Sequence, residues 1–338
     1  MSLKKMVKKM VVLGTGGTIA GTSDVAGDNI GYTAAQVGVG QLLQAVPGLT
    51  ALLEMYGVAL EFEQVAQVDS KDMDFCVWHA LTARVKHYLA QPDALGVLIT
   101  HGTDTLEETA FFLHAVLPSN LLAKPVVLTC AMRPATATTP DGPQNVLDAV
   151  AVVLDAKSTG VMAVCAGTVH SAVDVQKMHP YRVDAFGSGD AGPLGYVEEG
   201  VVRWVRIFDE KGSEVRVKYH YFATKNIANM IELPRVEVVM SHAGATGDLV
   251  DALLMQSGAD PARPLHGIVV AATGNGTIHQ LLEAALLRAQ AAGVTVVRAT
   301  RCPMGRVLPT AQSAFQDSDG LSPVKARIAL MLGLLESQ

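Results

Sequence analysis

Short apolar runs of strand length recur along this chain and stop at glycine or polar breaks: Met10–Leu13, Leu95–Thr100, Val126–Thr129, Val161–Cys165, Val236–Met240, Ile268–Ala272 and Val294–Val297. Such unalternating runs suit parallel strands buried on both faces. Between them apolar residues fall at helical spacing, as in Met73, Val77, Leu81, Val85 and Tyr88, and again in Ile278, Leu282, Leu286 and Ala289. Strand and helix alternate, which predicts an α/β protein. The expected architecture is a larger N-terminal domain built on a mostly parallel sheet and a smaller C-terminal α/β domain.

A different texture occupies Tyr196 to Lys225. Here Val201-Val202-Arg203-Trp204-Val205 and Val215-Arg216-Val217 alternate branched and polar residues, as half-exposed antiparallel strands do. The βα alternation restarts at Glu232-Leu233-Pro234. We therefore expect an N-terminal catalytic domain over 1–210, a connector over 211–231 and a C-terminal domain over 232–338.

Length agrees, since 338 residues exceed one ordinary core and fit two. Hydrophobic residues make up 49% and charged ones 17%, which argues against disorder. A net charge of -6 argues against nucleic acid, whose phosphates need a basic face. A small-molecule substrate fits better. No apolar run approaches the roughly 20 residues that cross a bilayer, so no membrane partner is expected. The basic start Lys4-Lys5-Met6-Val7-Lys8-Lys9 imitates a signal peptide, but Gly14 and Gly16-Gly17 interrupt the apolar stretch that follows. The expected location is cytoplasmic, or periplasmic if an export signal has been removed. Cys76, Cys130, Cys165 and Cys302 form no Cys-x-x-Cys pair, which argues against a zinc ribbon or a dithiol redox site and predicts buried free thiols. No His-Glu-x-x-His pair is present, and neither a metal nor a cofactor is expected.

Two glycine turns carry the candidate chemistry. Gly14-Thr15-Gly16-Gly17-Thr18 follows the first apolar run. A dinucleotide loop would need a third glycine where Ile19 stands, and a P-loop lysine is missing. A plain structural turn remains open for this segment. The second turn, Thr100-His101-Gly102-Thr103-Asp104-Thr105-Leu106-Glu107-Glu108, ends a strand and opens a helix. Asp104 or Thr105 as an N-cap explains one residue of it. Two hydroxyls, an imidazole and a carboxylate at one strand end exceed what a cap needs. Gly21 to Tyr32, polar and glycine-rich, reads as a loop over the first turn and a candidate lid. Ser322-Pro323-Val324-Lys325 matches Ser-x-x-Lys but is better read as a helix start.

Thr15-Gly16-Gly17-Thr18-Ile19-Ala20-Gly21 and Gly96 through Thr109, with His101-Gly102-Thr103-Asp104-Thr105 at its centre, resemble the two signatures of the bacterial-type L-asparaginase family. Agreement continues through Tyr32-Thr33, Val37-Gly38-Val39, Ala131-Met132-Arg133-Pro134, Asp141-Gly142-Pro143, Gly192 to Tyr196 and Ala326-Arg327, and so spans nearly the whole chain. The resemblance implies a homotetramer with active sites at a subunit interface. It implies hydrolysis of L-asparagine to L-aspartate and ammonia, with Thr15 as nucleophile and an acyl-enzyme intermediate. Thr103, Asp104 and Lys177 match a second catalytic group, and Tyr32 the lid residue near the nucleophile. Ser70 matches the position that binds the α-carboxylate, with Asp69 and Lys71 beside it. Backbone amides near Thr103 and Ala131 are implied as oxyanion donors, and Thr277 as a polar group lent by a neighbouring subunit. Two departures stand out: Lys71 replaces a glutamine common in relatives, and the loop from Arg306 to Gly320 lacks a glutamate. Preference for asparagine or glutamine is therefore open. A broader glutaminase-asparaginase and a non-catalytic amino-acid sensor are the alternatives, the intact set Thr15, Thr103, Asp104 and Lys177 counting against the sensor.

Overall fold

The computed structural model describes residues 7–25, 27–206, 233–311 and 313–336. The chain divides into two compact units after Ala228. The connector expected over 211–231, and the strand expected at Val215-Arg216-Val217, lie outside the described residues.

The first unit is built on an 8-stranded sheet. Its parallel part contains β1 (Lys8–Gly16), β2 (Val58–Val68), β3 (Ala94–Thr100), β4 (Pro125–Thr129) and β5 (Gly160–Cys165), in the spatial order β5-β4-β3-β1-β2. The antiparallel part continues from β5 through β6 (Thr168–Ser171), β9 (Gly195–Glu198) and β10 (Val201–Trp204). The β9–β10 hairpin is the alternating texture seen in the sequence. A separate ribbon pairs β7 (Gln176–Lys177) with β8 (Phe186–Gly187).

Side chains alternate across the sheet because successive strand residues point to opposite faces. Met10 and Val12 enter one core with α1 (Val39–Gln44), α2 (Leu49–Tyr56) and α5 (Gly142–Leu154). Val11 and Leu13 enter the other, with α3 (Phe75–Leu89) and α4 (Leu106–Val116). Both faces are covered, which is why the strands read as continuous apolar runs. The exception is β2, a half-exposed edge strand in which Glu61 and Glu63 interrupt the apolar residues. Helix α3 begins one turn's edge later than its apolar periodicity, at Phe75, because the Asp74 carboxylate accepts from Val77 N at 2.9 Å.

The topology has two consequences for a site. The chain leaves β1 toward β2 on one side and returns to β3 on the other, so β1 and β3 flank the point where strand order reverses. In open α/β sheets that crevice, beyond the carboxyl ends of the strands, is where ligands bind. The crossover β4-α5-β5 also differs from the rest. It steps in the same direction as β3-α4-β4, yet α5 lies on the opposite face from α4. It therefore has the opposite hand, a rare arrangement for parallel strands. This brings the start of α5 over the ends of both β4 and β5.

The second unit holds a parallel 4-stranded sheet, β11 (Arg235–Met240), β12 (Leu265–Ala272), β13 (Thr295–Thr300) and β14 (Gln316–Asp317). The α6 (Asp248–Ala259) and α7 (Gln280–Ala291) helices close one core, and α8 (Pro323–Glu336) packs on β11 to β13. Strand β13 runs to Thr300 rather than stopping at Val297. Helix α8 starts at the expected Ser322-Pro323 step, with Ala326 N donating to the Ser322 carbonyl at 2.8 Å. The Ser322 hydroxyl itself makes no bond. Among the described residues no helix is long and apolar enough to cross a membrane.

Candidate active site

Strands β4, β3, β1 and β2 end side by side, and the two glycine turns leave from the middle pair. Thr15 is the penultimate residue of β1, buried, and its hydroxyl donates to the Thr100 carbonyl at the end of β3, at 3.0 Å. Gly16 and Gly17 then adopt φ of 100° and 82°, a left-handed backbone that suits glycine. Gly17 N donates to Val68 O at 2.9 Å, which ties the turn to β2.

The turns touch through their glycines. A Cβ built on Gly17 would lie 2.3 Å from Gly102 Cα, and one on Gly102 would lie 2.3 Å from Ser70 Oγ. Only backbone fits between the first signature and the second. We predict that Gly17→Ala destabilises the protein by about 1–3 kcal/mol, through overpacking against Gly102 and a strained positive φ. Denaturant unfolding at equilibrium measures it.

The second turn gathers the charged groups. The Lys177 ammonium, carried by β7, donates to Thr103 Oγ1 at 2.9 Å and to Asp104 Oδ1 at 2.6 Å. Lys177 is partly buried and Asp104 half exposed, so the pair faces solvent on the carboxylate side. Ser70 is buried beneath it: Asp104 N donates to Ser70 Oγ at 3.2 Å, and Thr105 Oγ1 donates to Ser70 O at 2.7 Å. Capping does not account for this turn. Thr105 occupies the N-cap of α4 without a side-chain cap bond, and Asp104 Oδ1 is turned to Lys177 instead.

Asp69 and Lys71 stand on either side of Ser70 in a short 3-10 turn. The departure at Lys71 has a local answer. Its exposed ammonium bonds the Asp72 carboxylate and lies 3.6 Å from Asp69, so its charge is answered within its own turn. These carboxylates also raise its pKa, the Asp72 hydrogen bond most of all.

The candidate lid is pinned at both ends. Thr22 and Thr33 form an antiparallel bridge, Asp28 Oδ1 accepts from Ile30 N and Gly31 N at 2.9 Å each, and the Tyr32 hydroxyl lies 2.7 Å from Thr18 Oγ1. Tyr32 is thus joined to the first signature three residues beyond Thr15.

Ala131 lies on the loop leaving β4, and the reversed crossover holds that loop. Asp141 accepts from Met132 N at 2.9 Å and Arg133 N at 3.0 Å. Asn145, on the first turn of α5, donates to Cys130 O and accepts from Ala166 N, each at 2.9 Å, which bridges the ends of β4 and β5. Asn145 was not legible in the sequence, because a lone asparagine at the start of a helix reads as surface.

Thr277 is the one candidate in the second unit. It is exposed, on the turn after β12, where it bridges Thr273 and its hydroxyl lies 2.8 Å from that of Thr273. The loop from Arg306 to Gly320 carries β14. The cysteines depart from expectation in part: Cys130 and Cys165 are buried with sulfurs 3.1 Å apart, whereas Cys76 and Cys302 are exposed. The Cys165 thiol and burial together push the Cys130 pKa well up, so it is no ready nucleophile.

His101 also departs from the picture of an imidazole among the reactive groups. It is fully buried, its Nδ1 lies 2.7 Å from Gly102 O and its Nε2 lies 2.9 Å from Thr109 Oγ1. Burial pushes its pKa down to about 4, so the ring is neutral at neutral pH.

Residues 9–208 match the family model of the asparaginase N-terminal domain, and residues 235–338 that of the glutaminase/asparaginase C-terminal domain. The chain is 35% identical to L-asparaginase 2 of Bacillus subtilis, over 99% of this chain and 85% of that protein. It is also 35% identical to a glutaminase-asparaginase of Pseudomonas fluorescens, over 99% and 88%. The crystal structure of a probable cytoplasmic L-asparaginase from Campylobacter jejuni superposes with a TM-score of 0.86 at 34% identity, covering 97% of this chain and 95% of that one. With both of its domains matched in order and a strand-end site of hydroxyls, lysine and carboxylate between the two signatures, the chain belongs to the asparaginase family, hydrolases acting on amide C–N bonds.

Proposed function

We propose that the protein is an L-asparaginase that hydrolyses L-asparagine to L-aspartate and ammonia through Thr15. The observation that carries this reading is the Lys177–Thr103 hydrogen bond, 2.9 Å long, on the turn that abuts the Thr15 turn. A threonine hydroxyl is a weak nucleophile at neutral pH and needs a base or a proton relay. Lys177, relayed through Thr103, serves as that base.

The Thr15 oxygen attacks the side-chain amide carbon, and its proton passes toward Lys177. Collapse of the tetrahedral intermediate breaks the C–N bond, and the nitrogen leaves as ammonia after taking a proton. Water then attacks the Thr15 ester, releases aspartate and restores the hydroxyl. Backbone amides near Thr103 and Ala131 stabilise the oxyanion. Asp104 pairs with the substrate's α-ammonium, Ser70 with its α-carboxylate, and Asp69 and Lys71 border that subsite. Tyr32 closes over the nucleophile.

A second reading, a glutaminase-asparaginase, is favoured by equal identity to the Pseudomonas fluorescens enzyme. One methylene changes binding in a small pocket by only about 1–3 kcal/mol, so the same residues serve either amide. A homotetramer in the cytoplasm, with Thr277 lent by a neighbouring copy, completes the proposal; light scattering and cell fractionation check those two points.

Ammonia release from L-asparagine, L-glutamine and D-asparagine by the purified protein tests the activity. Turnover of L-asparagine well above L-glutamine is expected. Comparable rates on the two L-amides select the second reading, and no release from any amide overturns both.

A further inference from the structure

We infer that His101 is a positioning residue that aims the Thr103 backbone amide at the oxyanion, working through the Gly102 carbonyl. This rests on the activity proposed above.

The argument starts from which atoms can donate. A carbonyl only accepts, so the 2.7 Å contact to Gly102 O requires the hydrogen of a neutral His101 to sit on Nδ1. Nε2 is then an acceptor, and the Thr109 hydroxyl 2.9 Å away donates to it. Thr109 Oγ1 in turn accepts from Trp78 Nε1 at 2.9 Å. The result is a one-directional chain, from the Trp78 indole through Thr109 and His101 to Gly102 O, with every member satisfied. All three side chains are buried. Its far end is rigid, because Trp78 on α3 stacks on Phe112 of α4 at 4.7 Å between centroids.

The near end fixes a peptide plane. Gly102 O belongs to the planar peptide whose N–H is that of Thr103, and no cis peptide occurs among the described residues. In a trans peptide the N–H points opposite to the C=O. Holding the carbonyl inward, against His101, therefore turns the Thr103 N–H outward, on the side away from the core. Gly102 cannot hold this plane itself. As a glycine it has the widest backbone freedom of any residue, and the close approach of Gly17 and Ser70 forbids the side chain that would restrict it. An external clamp on its carbonyl supplies the restraint the residue lacks.

Two substitutions separate this role from core filling, because each keeps one end of the chain. In His101→Asn the amide nitrogen overlays Nδ1 and still donates to Gly102 O, but nothing reaches Thr109. In His101→Gln the amide overlays Nε2 and meets Thr109, but Gly102 O loses its donor. Both shorten or thin the buried ring, so both lower the unfolding midpoint. For the folded proteins, kcat and KM for L-asparagine are measured beside the wild type.

The expected result is a kcat about 10- to 100-fold lower in His101→Gln with KM within roughly threefold, and a kcat within roughly threefold of wild type in His101→Asn. Equal kcat in the two variants overturns the assignment, as does an unchanged kcat in His101→Gln. Should either variant fail to fold, the tautomer of wild-type His101 read by nitrogen NMR keeps the assignment falsifiable: a proton on Nδ1 supports the clamp, and a proton on Nε2 overturns it, because Gly102 O then has no donor. A wild-type protein that releases no ammonia counts against the proposed activity instead, and the two failures are thereby distinguished.

Discussion

Thr15→Val is expected to lower ammonia release from L-asparagine by roughly 10^3-fold or more while leaving a folded protein, since removing a covalent nucleophile costs at least that much. Valine matches the buried volume of threonine, so the end of β1 keeps its packing. What disappears is the hydroxyl and its 3.0 Å bond to the Thr100 carbonyl. One hydrogen bond is worth about 1 kcal/mol to stability, too little to unfold the unit. In the resting structure that hydroxyl is engaged with the main chain, so the proposed mechanism requires it to turn from Thr100 before it attacks. Single-turnover kinetics and a denaturant melt on the same preparation separate lost chemistry from lost fold. A folded Thr15→Val protein with wild-type turnover would remove Thr15 from the mechanism and direct attention to Thr103.

Lys177→Met carries the second large effect. General base catalysis contributes roughly 10^2- to 10^4-fold, and kcat is expected to fall by that factor. Methionine keeps an apolar stem of similar length where β7 pairs with β8, so the ribbon survives. Asp104 is half exposed and rehydrates when its partner goes, which limits the stability change to within about 1 kcal/mol. Lys177→Arg is expected to fail as well, because a guanidinium stays charged at any working pH and cannot take a proton. Recovery of activity by arginine would instead show that only the positive charge beside Thr103 and Asp104 matters. The readout is kcat in both variants, with circular dichroism to establish the fold.

The parallel core was legible because physics repeats itself there. Strands β1, β3, β4 and β5 are buried on both faces, and their apolar runs stood out unaided. Strand β2 hid because an edge strand needs only one apolar face, and Glu61 and Glu63 broke its pattern. The site was half legible. Two threonine turns behind apolar runs pointed to a strand-end crevice, and the order of β2, β1 and β3 put both at the reversal of the sheet. Lys177 had no local signal, since a single lysine on a two-residue strand looks like any surface residue. Only the family resemblance singled it out. Asn145 and the opposite-handed crossover were beyond reach, because the hand of a connection is set by which face a helix covers, and spacing along the chain does not encode it. His101 was seen as chemistry when its bonds run into the core.

The meeting of Gly17 and Gly102 reaches beyond stability. Because the Gly102 backbone occupies the space where a Gly17 side chain would go, while Ser70 and Gly17 crowd the place of one on Gly102, the two signatures behave as one module separated by 84 residues of connecting fold. Engineering that treats them separately will mislead. A chimera that imports the second signature from a relative inherits a surface shaped for that relative's first one, and a library that randomises either turn alone samples only the variants its fixed partner tolerates. Shifting the amide preference of this enzyme therefore calls for exchanging both turns together.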